Sequence, residues 1–494
     1  MIELKYKRQA LLDIHSPLYL KSKSHDLGAG DIDDLYVLSD ICAQSSFRFI
    51  QMTPIHDSSL NPSPYMGISS FSLNPIHLSV SKIPRSDKVD KVIAKWKQKH
   101  SLRKNKSIVD YKGIYRFKLK ILETIFEDFK KRNSVDYEKF DPQTINYAVF
   151  RALKNKYELR WNNWPSKYKI ADYQKIISSD DEIKEKTEFF LFCQEVLLAQ
   201  WKEVAKYAKS KGVFFVIDKP IYPIHDSADV WANQDIFYLN EDGSAKYVSG
   251  CDNPKDPFGK QIWDQAVYKF REKKEDVIDY IEKSIAFEAQ ISTVIRLDHA
   301  IALVWKYYVI DAQTKEGRHI EAICDDLFKR LIKKFPDVLF IAEDVGFISK
   351  LIDRPLEKYN LPGMRSPQWH SRKKYREIDE YPENCLAFTS NHDMTTLKQW
   401  CKSLNVNEKE YFFSRKEAKR FKSDECAQKI IEKIFHSKAS MAGISLRDLI
   451  GDDRRFNKPG IKNLKNWKLR MTKYLEEVDF SQIKEIIKSS GRFF

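Results

Sequence analysis

Val294-Ile295-Arg296-Leu297-Asp298-His299 is the stretch whose reading decides the fold. Three of its first four residues are apolar and two are β-branched, and the run is short, as for a strand buried on both faces. It then delivers a carboxylate and an imidazole where the strand should stop. Three other stretches have the same form. Val213 to Ile217 ends in Asp218, Val338 to Ala342 ends in Glu343, and Leu386 to His392 ends in Asp393. Helical patterns separate these runs, and strand alternating with helix implies a parallel sheet with helices outside it. In a closed barrel of that kind the strand C-termini open on one mouth. Asp218, Asp298, Glu343 and Asp393 would then share a cleft. A single Asp after an apolar run is ordinarily a turn residue or helix N-cap, so the inference rests on the set.

The 494 residues suit one large barrel with insertions. Ten Trp, 24 Tyr and 30 Phe make an aromatic-rich chain, most of it core. The net charge of +15 raises nucleic acid as a partner. However, the Lys residues are interleaved with Glu and Asp along helical segments, as in Asp87-Lys88-Val89-Asp90-Lys91, which is the pattern of a solvated face. Seven Cys, with no CxxC pair and no zinc spacing, favour a reducing compartment with free thiols. The N-terminus has no apolar signal core, and no apolar run approaches the ~20 residues of a spanning helix. A cytoplasmic protein with no nucleic-acid or membrane partner is expected.

Arg8 to Ile14 and Arg48 to Pro54 read as the first two strands, with a helix from Ile32 to Ser45 between them. Gly28-x-Gly30 lacks the rest of a dinucleotide fingerprint and reads as a turn. The loop Ser63 to Pro75 follows a strand directly and should reach the mouth, where Tyr65 and Asn74 could hydrogen-bond a polyhydroxyl substrate. Residues 82–211 carry apolar stripes at helical spacing and read as a helical insertion. Residues 222–290, between the third and fourth strands, read as a second insertion rich in turns, with Trp231, Phe258 and Trp263 as candidate sugar platforms. A short helix is expected after Glu343, and Met441 to Leu446 is the last strand. The expected fold is α/β: one (β/α)8 barrel over residues 1–494 with inserted, mainly helical subdomains and no C-terminal β-domain.

Clustered carboxyls at a barrel mouth suit cleavage of an acetal. One carboxylic acid protonates the leaving oxygen, and a carboxylate meets the oxocarbenium-like carbon. Crowding pushes the two pKa values apart, so that one group stays protonated. A divalent metal also likes carboxylates. Against this, Arg296 lies two residues before Asp298 on the same strand face, and a cation there suits an ionised nucleophile and opposes a metal.

The chain resembles the 4-α-glucanotransferases, the amylomaltase or disproportionating-enzyme family related to the α-amylase superfamily. The likeness is carried by Ser63-Pro-Tyr65 with Asn74-Pro75, Asp218-x-Pro220, Asp226-Ser-Ala-Asp229-Val-Trp231, Gln261-x-Trp263, Arg296-Leu-Asp298-His299 and Ala342-Glu343-Asp344-Val-Gly346. Pro362-Gly-Met364, His392-Asp393, Asp448-Leu449, Asn457-x-Pro459-Gly460 and Asn466-Trp467 continue it. The resemblance implies Asp298 as nucleophile, Glu343 as acid/base and Asp393 as transition-state stabiliser. It further implies that Arg296 orients Asp298, that His299 and His392 bind sugar hydroxyls, that Asp218 supports the site and that Tyr65 packs against the donor sugar. It implies maltooligosaccharides and other α-1,4-glucans as substrates, with no metal and no organic cofactor. This sequence departs from the family's usual residues at Ile217, Lys219, the loop Asn253 to Phe258, Lys260, Asp264, Thr395 and Arg447. An α-glucan hydrolase and a non-catalytic α-glucan-binding protein on the same barrel are the alternatives.

Overall fold

The apolar runs that end in carboxylates are strands of one parallel sheet. The computed structural model describes residues 8–102, 106–251, 259–304, 306–322, 324–344, 356–369, 377–461 and 465–492. In chain order the strands are β1 (Gln9–Asp13), β2 (Phe49–Met52), β3 (Phe214–Lys219), β4 (Tyr247–Cys251), β5 (Gln261–Ala266) and β6 (Val294–Leu297). They continue with β7 (Lys306–Asp311), β8 (Gly317–Glu321), β9 (Leu339–Ala342), β10 (Gly363–Arg365), β11 (Cys385–Phe388) and β12 (Met441–Ser445). Eight of them pair in parallel in the order β10-β11-β12-β1-β2-β3-β6-β9. The Ala342 N–H donates to the Pro362 carbonyl at 2.9 Å, bringing the end of β9 against the start of β10 and closing the ring. This is the (β/α)8 barrel expected from the sequence.

Side chains alternate across each strand, and the barrel uses that period to separate core from chemistry. Leu11, Phe49, Val216, Val294, Leu339, Ile341, Met364, Leu386, Phe388 and Met441 fill the barrel interior as one apolar cluster. Their alternates, among them Leu12, Ile50, Ile217, Ile295 and Phe340, pack outward under the helices. Two residues on from an inward apolar side chain, the same face carries Asp218 on β3, and Arg296 and then Asp298 at the end of β6. Beyond β9 it carries Glu343. The apolar plug thus ends, strand by strand, in a polar layer at the C-terminal mouth.

Helices Asp87–Ser101, Tyr111–Phe129, Pro142–Tyr157, Tyr173–Ser179 and Asp181–Ser210 run between β2 and β3. Among the described residues after β12 there is no further strand.

One part differs from the sequence reading. Residues from the turn-rich stretch 222–290 contribute β4 and β5 to a separate four-stranded antiparallel sheet, in the order β5-β4-β7-β8. Its strands hide their pattern. β8 is largely exposed and carries no apolar face, and β4 shifts register between Val248 and Gly250. Gly250 is needed there, because a Cβ would lie 2.3 Å from the Gln261 carbonyl oxygen. The partner β7 lies beyond the Asp298 strand in sequence, so local pattern could not reveal the pairing. Most of the short helix expected after Glu343, and the loop Asn253 to Phe258, lie outside the described residues.

Candidate active site

Arg296 is the hub of the mouth. It is 2% exposed. Its Nη1 donates to Asp298 Oδ1 at 2.8 Å and also to Asp218 Oδ2, while Nη2 lies 2.8 Å from Glu343 Oε2. Strand register makes this reach possible: Asp218 on β3 and Ile341 on β9 are the direct neighbours of Arg296 on β6. Backbone bonds hold the strand ends together, with Asp298 N–H donating to the Lys219 carbonyl and Glu343 N–H to the Leu297 carbonyl, each at 3.0 Å. The chain then turns through the left-handed region at His299, φ +48°. That turn aims the His299 N–H at Glu343 Oε2, 2.7 Å away.

The electrostatics follow from this geometry. Burial raises Asp298 well above the usual carboxylate range. Arg296 pulls it down, and the charges of Glu343 and Asp218 push it up again. Burial would also raise Glu343, but Arg296 and the His299 N–H outweigh it and leave Glu343 low. Asp298 and Glu343 sit on the same guanidinium, and carboxyls so placed titrate as a pair. Burial raises Asp218 against the pull of Arg296, and burial keeps His299 neutral.

Asp393 sits across the mouth, its side chain 42% exposed. Asn457 Nδ2 donates to its Oδ1 at 2.6 Å, and Arg455 Nη2 donates to its backbone carbonyl. His392 Nε2 lies 3.5 Å from Asp393 Oδ2. Tyr65 bridges the halves of the site, its hydroxyl donating to Asp218 Oδ2 at 2.5 Å and lying 3.1 Å from His392 Nε2. The rings of Tyr65, His392 and Trp467 form a cluster with centroid separations of 5.3, 5.6 and 5.4 Å. Trp263 stands edge-on to His299 at 5.3 Å and donates from Nε1 to Gln261 Oε1 at 3.1 Å.

Asn74 is placed elsewhere. It is 3% exposed, its Oδ1 accepts from Ile76 N–H at 3.1 Å, and its amide donates to Ser58 Oγ and the Tyr111 hydroxyl at 3.3 and 3.0 Å. It caps its own loop and has no donor left for a sugar. Trp231 is likewise buried, with Nε1 donating to the Tyr168 carbonyl at 2.8 Å. Phe258 is outside the described residues. Asn457, Arg455 and Trp467 were not singled out as site residues by sequence reasoning; only the late Asn-x-Pro-Gly and Asn-Trp motifs pointed toward two of them. Lys219 also gains an account. It is buried and its Nζ lies 3.5 Å from Glu288 Oε1, which is 2.6 Å from His56 Nε2. A charge at that strand end is thus answered by a carboxylate from the helix Lys274–Ala289. Among the described residues no group of three or more His, Cys, Asp or Glu is arranged to hold a metal. The centre of the carboxylate cluster is taken by the Arg296 guanidinium.

A family profile described as 4-alpha-glucanotransferase matches residues 17–476. The chain belongs to the 4-α-glucanotransferase family. A 4-alpha-glucanotransferase of Aquifex aeolicus is 27% identical over 486 residues, 95% of this chain and 96% of that protein. One of Clostridium butyricum is 27% identical over 456 residues, 88% of this chain and 91% of its own. Among solved structures, the amylomaltase of Streptococcus agalactiae in complex with acarbose superposes with a TM-score of 0.86 at 22% identity, covering 99% of this chain and 100% of that one. That likeness concerns the fold. Among the described residues of this family member, no helix is long and apolar enough to cross a membrane.

Proposed function

We propose that this 4-α-glucanotransferase family member moves α-1,4-glucan segments between maltooligosaccharides by a retaining double displacement. The observation that carries the reading is one buried arginine gripping three strand-end carboxylates. One guanidinium held by both acids supports the short carboxyl separation, about 5–5.5 Å, of a retaining enzyme.

Asp298 attacks the anomeric carbon while Glu343 protonates the leaving glycosidic oxygen. The 4-hydroxyl of an acceptor glucan then attacks the glucosyl-enzyme, giving its proton back to Glu343, and a new α-1,4 bond forms. The first step needs the proton on Glu343 and Asp298 ionised. Asp393 stabilises the oxocarbenium-like carbon, Arg296 orients Asp298, and His299 and His392 bind sugar hydroxyls. Asp218 and Tyr65 hold the donor side, and Trp263 offers an aromatic edge on the way in. Residues 82–211 and 222–290 act as insertions in one barrel spanning 1–494, the latter supplying substrate loops. Six of the seven cysteines are free, which supports a cytoplasmic setting, where glycogen-type glucans would be the stores acted on.

Incubation with maltotriose tests this. Transfer yields glucose together with chains longer than the substrate, and Asp298→Ala should abolish both. Glucose and maltose as the sole products would replace transfer with hydrolysis. Wild type and Asp298→Ala equally inert would leave a binding protein.

A further inference from the structure

Arg447 is fully buried in the first turn of the helix Leu446–Ile450, immediately after β12. All three guanidinium nitrogens are engaged. Nε donates to His15 Nε2 at 2.8 Å, Nη1 to the Arg454 carbonyl at 2.8 Å, and Nη2 to the carbonyls of Asn391 and Met394 at 3.1 and 3.3 Å. None of these four acceptors is a carboxylate. Asp448, Asp452 and Asp13 offset its charge only from beyond hydrogen-bond reach, so burying the cation is a costly way to fill space, but the planar fork of an arginine fixes direction as well as distance.

The acceptors lie in three different loops of the mouth: His15 after β1, Asn391 and Met394 after β11, and Arg454 after β12. Asn391 and Met394 bracket His392 and Asp393, so one guanidinium holds both ends of the segment that presents them. The third loop carries Arg455 and Asn457, which grip Asp393 by its carbonyl and its Oδ1. Asn457 N–H also donates to the His392 carbonyl at 3.2 Å. The first loop is itself held. His15 adopts φ +60° and its Nδ1 faces Asp13 Oδ1 at 3.2 Å, which leaves Nε2 as the acceptor for Arg447. Burial keeps that ring neutral. The His15 ring packs on Phe456 at 5.1 Å and stands edge-on to His392 at 6.4 Å.

We propose that Arg447 is a positioning residue that sets Asp393 and His392 against the Asp298–Glu343 pair by clamping these three loops. The inference rests on the transferase reading above.

The full-length wild type is compared with Arg447→Met, Arg447→Lys and Arg447→Gln in maltotriose disproportionation, with the thermal unfolding of each recorded. A folded Arg447→Met, matched in length but without donors, is expected to lose about 100-fold in kcat while KM moves less than about threefold. Gln, with two N–H donors, should recover about tenfold of that loss. If Met does not fold, Lys and Gln carry the test. Lys keeps the charge but presents its donors from one point and should still lose about tenfold in kcat. A folded Met variant, or failing that a folded Lys variant, with kcat within threefold of wild type overturns the proposal. So do a loss confined to KM, a Gln variant no better than Met, or failure of all three variants to fold, which would make Arg447 a residue of the fold alone. A wild type inert toward maltotriose sinks the transferase reading and this inference with it. An active wild type with unaffected Arg447 variants sinks only the latter.

Discussion

Replacing Arg296 by Met should destabilise the protein in a pH-dependent way, and the size can be worked from the site. One guanidinium touches Asp218, Asp298 and Glu343, and it is 2% exposed. Met fills much of the same space without charge, so its removal leaves one more negative charge in the pocket than before. The pocket can respond by taking up one proton. At pH 7 a carboxyl with an unfolded pKa near 4 takes up that proton at a cost of about 4 kcal/mol, from ~1.4 kcal/mol per pH unit over three units. At pH 5 the same step costs only about 1.4 kcal/mol. These figures bound the charge penalty, and the pH 7 value falls in the range for breaking a buried ion pair by removing one partner. The sign is that of a carboxyl whose folded pKa is raised: stability is whole below the unfolded pKa and is lost as pH rises toward the folded one. Urea unfolding of wild type and Arg296→Met at pH 5 and pH 7 therefore separates two accounts. The difference between them should grow by about 2.7 kcal/mol from pH 5 to pH 7. A destabilisation equal at both pH values within about 0.5 kcal/mol would mean that Arg296 acts by packing, and the electrostatic reading of the hub would fall.

Asn457→Ala removes the 2.6 Å donor on Asp393; a hydrogen bond to a charged group is worth about 1.5–3 kcal/mol, so kcat for maltotriose should fall at least tenfold with KM little changed, and a kcat within twofold of wild type would separate Asp393 from Asn457. Asp34, in the first turn of the helix Ile32–Gln44, is raised to about 7 by burial and by the neighbouring Asp31. Its stabilising effect is complete below the unfolded value near 4 and is lost as pH rises through 7, so Asp34→Asn, which keeps the acceptor for the Asp31 N–H, should flatten the decline of the unfolding midpoint between pH 4.5 and 7.5. An unchanged decline would show that another group carries it.

Much of the site is legible in the chain because its logic is local. A short apolar run that ends in a carboxylate names both a strand and its mouth end. Spacing of two puts Arg296 and Asp298 on one face. What is not legible is who else Arg296 touches, since its contacts to Asp218 and Glu343 depend on the register of β3, β6 and β9. Asn74 shows the opposite failure. Its type and loop suit a sugar contact, but its amide is used up by Ser58 and by Tyr111 from a helix far along the chain. The four-stranded sheet escapes for the same reason: β4 finds β7 only across the Asp298 strand.

The sequence by itself determined the barrel, the strand ends and the identity of the acids, because burial on both faces demands apolar runs and hydrophobic period sets direction. The tertiary structure alone decided how those acids behave. Arg296 and the His299 N–H set the charge of Asp298 and Glu343, and Arg447 and Asn457 set the place of Asp393. Charge and orientation at a buried site are sums over neighbours from several strands, and closure of the barrel is what makes those neighbours adjacent.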